Sequence, residues 1–147
     1  MYNQKVMNHF HQAKNMGKVD NPDGVGQVGN MACGDIMELS IKVSKNEQDV
    51  DVISEVKFQT LGCAAAIATS SITTELAKNK TIDEALAIDK KTIIDELGGL
   101  PQSKIHCSVL ASEALAMAIH DYLTKNSLSV PPKLQTVYKK LQARSKH

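Results

Sequence analysis

The chain has no tryptophan and only two phenylalanines and three tyrosines, so aromatics supply 3% of its residues. Any core must be assembled from Ile, Leu, Val, Ala and Met. Long hydrophobic runs are missing too: nothing approaches the ~20 apolar residues that cross a bilayer, and a membrane role is not expected. Charge of one sign is not in excess. Lys and Arg number 17 against 16 Asp and Glu, a formal net charge of +1, which gives no reason to expect nucleic acid as a partner. The first residues, MYNQKVMNHFHQAKNMG, lack the apolar stretch and small-residue cleavage site of a secretory signal, so the expected location is cytoplasmic. Cysteine is scarce, at three residues. In a reducing compartment these are thiols or metal ligands rather than a disulfide framework, and an odd count leaves any pairing scheme with a remainder. No C-x2–4-C pair occurs, which disfavours a zinc finger. At 147 residues the chain is long enough to bury a core without covalent staples.

What is present has a clear order. Val6, Met7 and Phe10 have the spacing of a short helix within residues 2–10. The stretch GKVDNPDGVGQVGN, Gly17 to Asn30, carries four glycines, a proline and two aspartates, and is expected to be a loop. Its glycine-rich part could supply a third strand, but the alternation there is too thin to assign one. MELSIKV alternates Met37, Leu39, Ile41 and Val43 against Glu38, Ser40 and Lys42, the pattern of a half-buried strand. VDVISEVKFQT returns as a second strand, and an antiparallel hairpin is the economical pairing.

After Gly62 the pattern is helical. Ala65, Ala68, Ile72 and Leu76 share one face of a helix ending near Asn79. Thr81 to Glu84 has the form of a capping box, and Asp89 can cap another helix that ends at Gly98-Gly99. LPQSK is a non-helical connector, because Pro101 disfavours helical geometry at Leu100. A long helix follows, with Ala111, Ala114, Leu115, Ala118, Ile119 and Tyr122 as its apolar stripe. Beyond Val130-Pro131-Pro132 a last amphipathic segment groups Leu134, Val137 and Leu141. This reading divides the chain into a main domain over 1–130 and a basic helical tail over 131–147. The tail carries Lys133, Lys139, Lys140, Arg144 and Lys146. A solvated helix is its default role, and a dock for a partner or a second copy is the functional alternative.

Each cysteine falls at an element boundary: Cys33 in GNMACGD, Cys63 in TLGCAAAIA, Cys107 in KIHCSVL. At a helix N-terminus the free N–H groups and the dipole favour a thiolate, so Cys63 and Cys107 are expected to have depressed pKa values. His106 and Cys107 are adjacent, so their side chains are expected to diverge, as two vertices of a metal site would. His9, His11, His120 and His147 have no partner spacing and are expected to face solvent. Asp35 stands out only by its position two residues after Cys33. If the boundaries converge, three thiols, an imidazole and a carboxylate meet. Zinc could take four of these in a tetrahedron, and a [2Fe–2S] cluster also needs four protein ligands. Ligand count does not separate the two.

ACGDIM, LGCAAAIATSSITTE, KNKTIDEAL and LGGLPQSKIHCSVLASEAL, with YNQKV..HF..AKN.G at the start, resemble the IscU/NifU-type iron–sulfur cluster assembly scaffolds over residues 2 to about 125. The resemblance implies an α+β fold, with a small antiparallel sheet of about three strands, helices on one face, and the ligands clustered at an exposed end. It implies a non-enzymatic cytosolic scaffold that binds iron, builds a [2Fe–2S] cluster and passes it to apo iron–sulfur proteins. Sulfur would come from a cysteine desulfurase of the IscS/NifS type and electrons from a ferredoxin-like donor. The implied cluster or metal ligands are Cys33, Asp35, Cys63, His106 and Cys107, with Asp35 or His106 as the fourth. Cys107 would be the persulfide acceptor, and Lys104 would flank the site. Zinc in place of the cluster, in a SufU-like sulfur acceptor that regulates the desulfurase, is the alternative. An insertion typical of that branch between Cys63 and Cys107 is absent. Gly62-Cys63-Ala64-Ala65 stands where such scaffolds commonly have Gly-Cys-Gly-Ser. Leu100-Pro101-Gln102-Ser103-Lys104 stands where many have Leu-Pro-Pro-Val-Lys, which argues against docking of an Hsp70-type chaperone. A homodimer is compatible with all of this.

Overall fold

The computed structural model describes residues 2–30 and 35–145. Cys33 and His147 lie outside the described residues, as do the side chains of Asn30, Asp35 and Arg144. The elements in chain order are α1 (Gln4–His11), β1 (Gly24–Asn30), β2 (Asp35–Lys45), β3 (Asp51–Leu61), α2 (Ala64–Ala77), α3 (Ile82–Leu86), α4 (Lys90–Glu96), α5 (Ile105–Lys125) and α6 (Pro132–Ser145). The strands form one antiparallel sheet in the order β1-β2-β3, so the α+β expectation holds. β2 and β3 pair from Ile36↔Leu61 to Lys45↔Asp51, with a bulge at Lys42/Val43. The apolar side of the MELSIKV alternation holds, since Met37, Leu39 and Ile41 are buried; on the other face Ser40 is buried as well, because its Oγ accepts the Val19 N–H.

One expectation is corrected. The second half of the presumed loop, GVGQVGN, is strand β1, in register from Gly24↔Ile41 to Asn30↔Asp35. Its glycines have a mechanical purpose. A Cβ on Gly26 would lie 2.3 Å from Ala114 O and from Ala118 N, and one on Gly24 would lie 2.2 Å from Ala118 O. Helix α5 therefore rests directly on the backbone of β1, where no side chain fits.

α2 is the other central helix. It buries Thr69, Ser70, Ser71, Thr73 and Thr74 beside Ala65, Ala66, Ala68 and Ile72. Burying hydroxyls is tolerable because several bond back into the helix: Thr69 to Ala66 O, Thr73 to Thr69 O and Thr74 to Ser71 O. The caps expected at α3 and α4 are present. Thr81 and Glu84 form a capping box, and Asp89 accepts from the Thr92 N–H.

Two histidines are not bland. His9 Nδ1 lies 2.9 Å from Ser71 Oγ, which also accepts the Lys14 N–H, so α1 is stitched to α2. His120 is buried and stacks on Tyr138 at 3.8 Å, with Nε2 3.3 Å from Gln135 Oε1. Together with Leu134 this docks α6 on α5. Solitary spacing says nothing about these contacts, because both are made across elements far apart in sequence. His11 remains exposed.

Candidate functional site

The sheet register brings three chain segments to one end of the molecule. Ile36 pairs with Leu61, so the start of β2, at Asp35, lies level with Gly62 and Cys63. Moving along β1 from Gly26 to Asn30 covers about 13 Å. The same distance along α5 is about nine residues. Since Gly26 sits under Ala114 and Ala118, the far end of β1 lies under the first turn of α5, where Cys107 is. The elements meeting here are the end of β1, the start of β2, and the N-termini of α2 and α5.

Cys63 is the N-cap residue of α2. Its side chain makes no strict cap hydrogen bond, but the Ala65 and Ala66 amides face the sulfur. The largest single influence on this thiol is burial, which raises its pKa. The two amides, the Lys104 ammonium and a hydrogen bond from Cys107 outweigh it, and the net shift is downward. Lys104 is shifted upward in turn, first by Cys63 and then by Tyr2. The sequence-based expectation for Cys63 is met.

Cys107 is buried, with zero exposure, inside the main apolar cluster. The resemblance implied ligands clustered at an exposed end; His106 is exposed and Cys63 half-buried, whereas Cys107 is closed off. The divergence expected of neighbours is corrected. His106 Nε2 reaches back to 3.7 Å from Cys107 Sγ. At the first turn of a helix the imidazole is free of a preceding turn and can fold over the following residue.

Sequence reasoning missed two residues. Tyr2 lies against Cys63, and its phenol pKa is raised by burial first and then by the thiol. Asn3 accepts the Val6 N–H as N-cap of α1, while its Nδ2 donates to Leu97 O at 2.9 Å and Gly99 O at 3.3 Å. One side chain thus clamps the N-terminus to the loop leading into the connector. The conspicuous YNQKV motif contained both residues, but nothing in it indicated a target.

The structure therefore places Cys63, His106, Cys107 and Lys104 together, with Asp35 starting β2 at the same end. Among the described residues no group of three or more His, Cys, Asp or Glu is arranged to hold a metal ion.

Comparison with known proteins is decisive at this point: a profile of the NifU-like N-terminal domain matches residues 1–129. The chain belongs to the NifU-like N-terminal domain family. Among curated relatives, an iron–sulfur cluster assembly scaffold protein IscU of Archaeoglobus fulgidus is 55% identical over 126 residues, covering 86% of this chain and 79% of the relative. The IscU scaffold of Escherichia coli K12 is 47% identical over 127 residues, covering 84% and 95%. Among solved structures, a SUF-system iron–sulfur scaffold of Fervidobacterium islandicum superposes with a TM-score of 0.62 at 26% identity, covering 80% of this chain and 96% of that one. The N-terminal NifU-like domain of Brucella abortus shares the fold, with a TM-score of 0.62 at 18% identity over 84% and 94%. Within this NifU-like chain no described helix is long and apolar enough to cross a membrane.

Proposed function

We propose that this chain is a cytoplasmic scaffold on which a [2Fe–2S] cluster is assembled, then handed to apo iron–sulfur proteins. The carrying observation is the contact between Cys63 and Cys107 at two helix N-termini, with Lys104 and His106 beside it, in a chain about half identical to named IscU scaffolds. Iron and cluster are cargo here. Cys33, Cys63 and Cys107 would supply thiolates, and Asp35 or His106 the fourth ligand. Three thiolates with one harder ligand hold iron less tenaciously than four thiolates, which suits a site that must release its product.

Cys107 is the sulfur acceptor in this reading. Its thiolate attacks the outer sulfur of a desulfurase persulfide; a new S–S bond forms on Cys107, and the donor leaves as a thiolate. Because Cys107 is sealed at rest, the 3₁₀ turn Gln102–Lys104 and His106 must shift as the desulfurase docks. A ferredoxin-like donor would supply electrons. Residues 1–130 form the scaffold unit, and 131–147 an appended basic tail that offers a surface to the desulfurase or to a second copy. The Gln102-Ser103 pair makes Hsp70-type docking weak.

Anaerobic reconstitution with iron, cysteine and a cysteine desulfurase tests this reading: visible charge-transfer bands are the expected result. A colourless, zinc-loaded product would instead support a zinc-binding regulator of the desulfurase.

A further inference from the structure

The two edges of the sheet are treated differently. On β3 the outward main chain is bonded at Ile53 and Phe58: Phe58 N–H bonds Asn15 O, Gly17 N–H bonds Phe58 O, Ile53 N–H bonds Lys80 O, and Asn79 N–H bonds Ile53 O, and Val56 between them is buried. On β1 the outward amide of Val25 is capped by Asp121 Oδ2 at 2.9 Å, an oxygen also held by Lys125. Antiparallel pairing alternates the direction of main-chain groups, so outward Val25 makes Gln27, and beyond it Gly29, outward too. Both residues are exposed, and among the described residues nothing bonds their main chain from outside the sheet. The edge is thus closed at its far end and open only where β1 runs under the first turn of α5, at the thiol end.

We propose that this open edge of β1 receives an extended polypeptide segment as a fourth strand. On the scaffold reading above, on which this identification rests, that segment is the cysteine-bearing stretch of an apo-protein taking the cluster. The chemistry selects the occupant. A row of alternating N–H and C=O groups is matched by another main chain in extended form. A second copy of this chain pairing antiparallel through the same edge is excluded sterically. Edge-to-edge pairing would set two β1 strands 4.7–4.9 Å apart with both α5 helices on the same face, each resting directly on its own strand. Packed helices need 8–10 Å between axes. A segment carrying no helix meets no such obstacle.

The test uses the full-length ¹⁵N-labelled chain and a peptide alternating threonine and valine around one central cysteine. Amide shifts and added exchange protection are expected at Gln27 and Gly29, and not at Phe58. Gln27→Pro removes the edge donor at a position where proline is tolerated and should weaken peptide binding about tenfold, with the melting temperature little changed. A peptide N-methylated along one edge should lose binding similarly, and it leaves the protein untouched. Equal binding of methylated and unmethylated peptides, or protection appearing elsewhere, would overturn the proposal. So would a dimer that Gln27→Pro dissolves. A serine-for-cysteine peptide must still bind. If it does while reconstitution yields no cluster, the scaffold reading has failed and the strand dock stands.

Discussion

His106 Nε2 and Cys107 Sγ lie 3.7 Å apart although the two residues are consecutive. The exposed imidazole covers a thiol that is otherwise walled in by the core, while Cys63 remains half-open beside Lys104. Accessibility therefore ranks Cys63 ahead of Cys107, and Lys104 lies beside the more open thiol. In the resting chain iodoacetamide should label Cys63 well before Cys107, read by peptide mass spectrometry. Faster labelling of Cys107 would contradict the sealed arrangement.

The downward shift of Cys63 depends in part on Lys104. Lys104→Gln removes a cation that favours the thiolate, so the pH midpoint of Cys63 alkylation should move up and its rate at neutral pH should fall. The Ala65 and Ala66 amides remain in this variant and still favour the thiolate. An unchanged midpoint would show that the lysine is not acting on the thiol.

Gly26→Ala should be among the most damaging small substitutions in the chain. The added carbon meets main-chain atoms at 2.3 Å, and backbone cannot step aside as a flexible side chain can. A loss of about 3 kcal/mol in urea unfolding is expected. Gly99→Ala has open space around it but a φ of +112°, so only conformational strain of roughly 1 kcal/mol applies. Comparable losses at the two sites would refute direct seating of α5 on β1.

That seating also explains why β1 was not legible in the sequence. Strand recognition relies on alternating apolar side chains, and here two inward positions are glycine because the helix occupies the space a side chain would need. Val28 alone kept the pattern. β2 was transparent for the opposite reason, since Met37, Leu39 and Ile41 all fill the core. Local devices such as the Thr81–Glu84 box were legible because both partners lie within one turn. The site was half-legible. Helix starts could be placed from sequence, which located Cys63 and the sign of its shift. The burial of Cys107 and the approach of Tyr2 depend on how α1, α2 and α5 pack, which no spacing encodes.

Asn3 performs two tasks, and two substitutions separate them. Asn3→Ala loses the α1 cap and both bonds to the Leu97–Gly99 loop, and should cost about 1–2 kcal/mol. Asn3→Asp keeps a capping oxygen but cannot donate to either carbonyl, so it should cost less while still freeing the loop. Hydrogen exchange at residues 98–100 should rise in both variants, and a rise in Asn3→Ala alone would remove the clamp from the account.

Tyr122, Asp51 and Lys45 make a chain of contacts at the opposite end: the phenol donates to Asp51 Oδ2 at 2.8 Å, and Lys45 Nζ lies 2.8 Å from Oδ1. The Lys45 and Tyr122 bonds lower the Asp51 pKa against the opposing effect of burial. Its contribution is present above the ordinary aspartate value and is lost as pH falls through the lowered folded value, so Asp51→Asn should flatten the acid limb of stability below about pH 4. Tyr122 is pushed up to about 12 by burial and then by Asp51. Its stabilising neutral form is fully present below the ordinary tyrosine value and is lost as pH rises towards 12. Tyr122→Phe should therefore flatten the alkaline limb, measured by urea unfolding across both ranges.

On the scaffold reading proposed above, Asp35 bears most directly on release. It opens β2, where its main chain pairs with Asn30 and lies level with Gly62. A hard oxygen donor binds iron but competes poorly with thiolate for a sulfide-bridged cluster, so it should take part in iron entry and yield first on transfer. Asp35→Ala should leave the fold unchanged, lengthen the lifetime of the bound cluster, and slow its transfer to an apo-ferredoxin about tenfold. The decay of visible absorbance with and without acceptor measures both quantities. A variant that assembles, holds and passes its cluster at the rate of the parent would remove the labile carboxylate from the mechanism. His106 would then remain as the fourth ligand, and release would have to come from its withdrawal off Cys107.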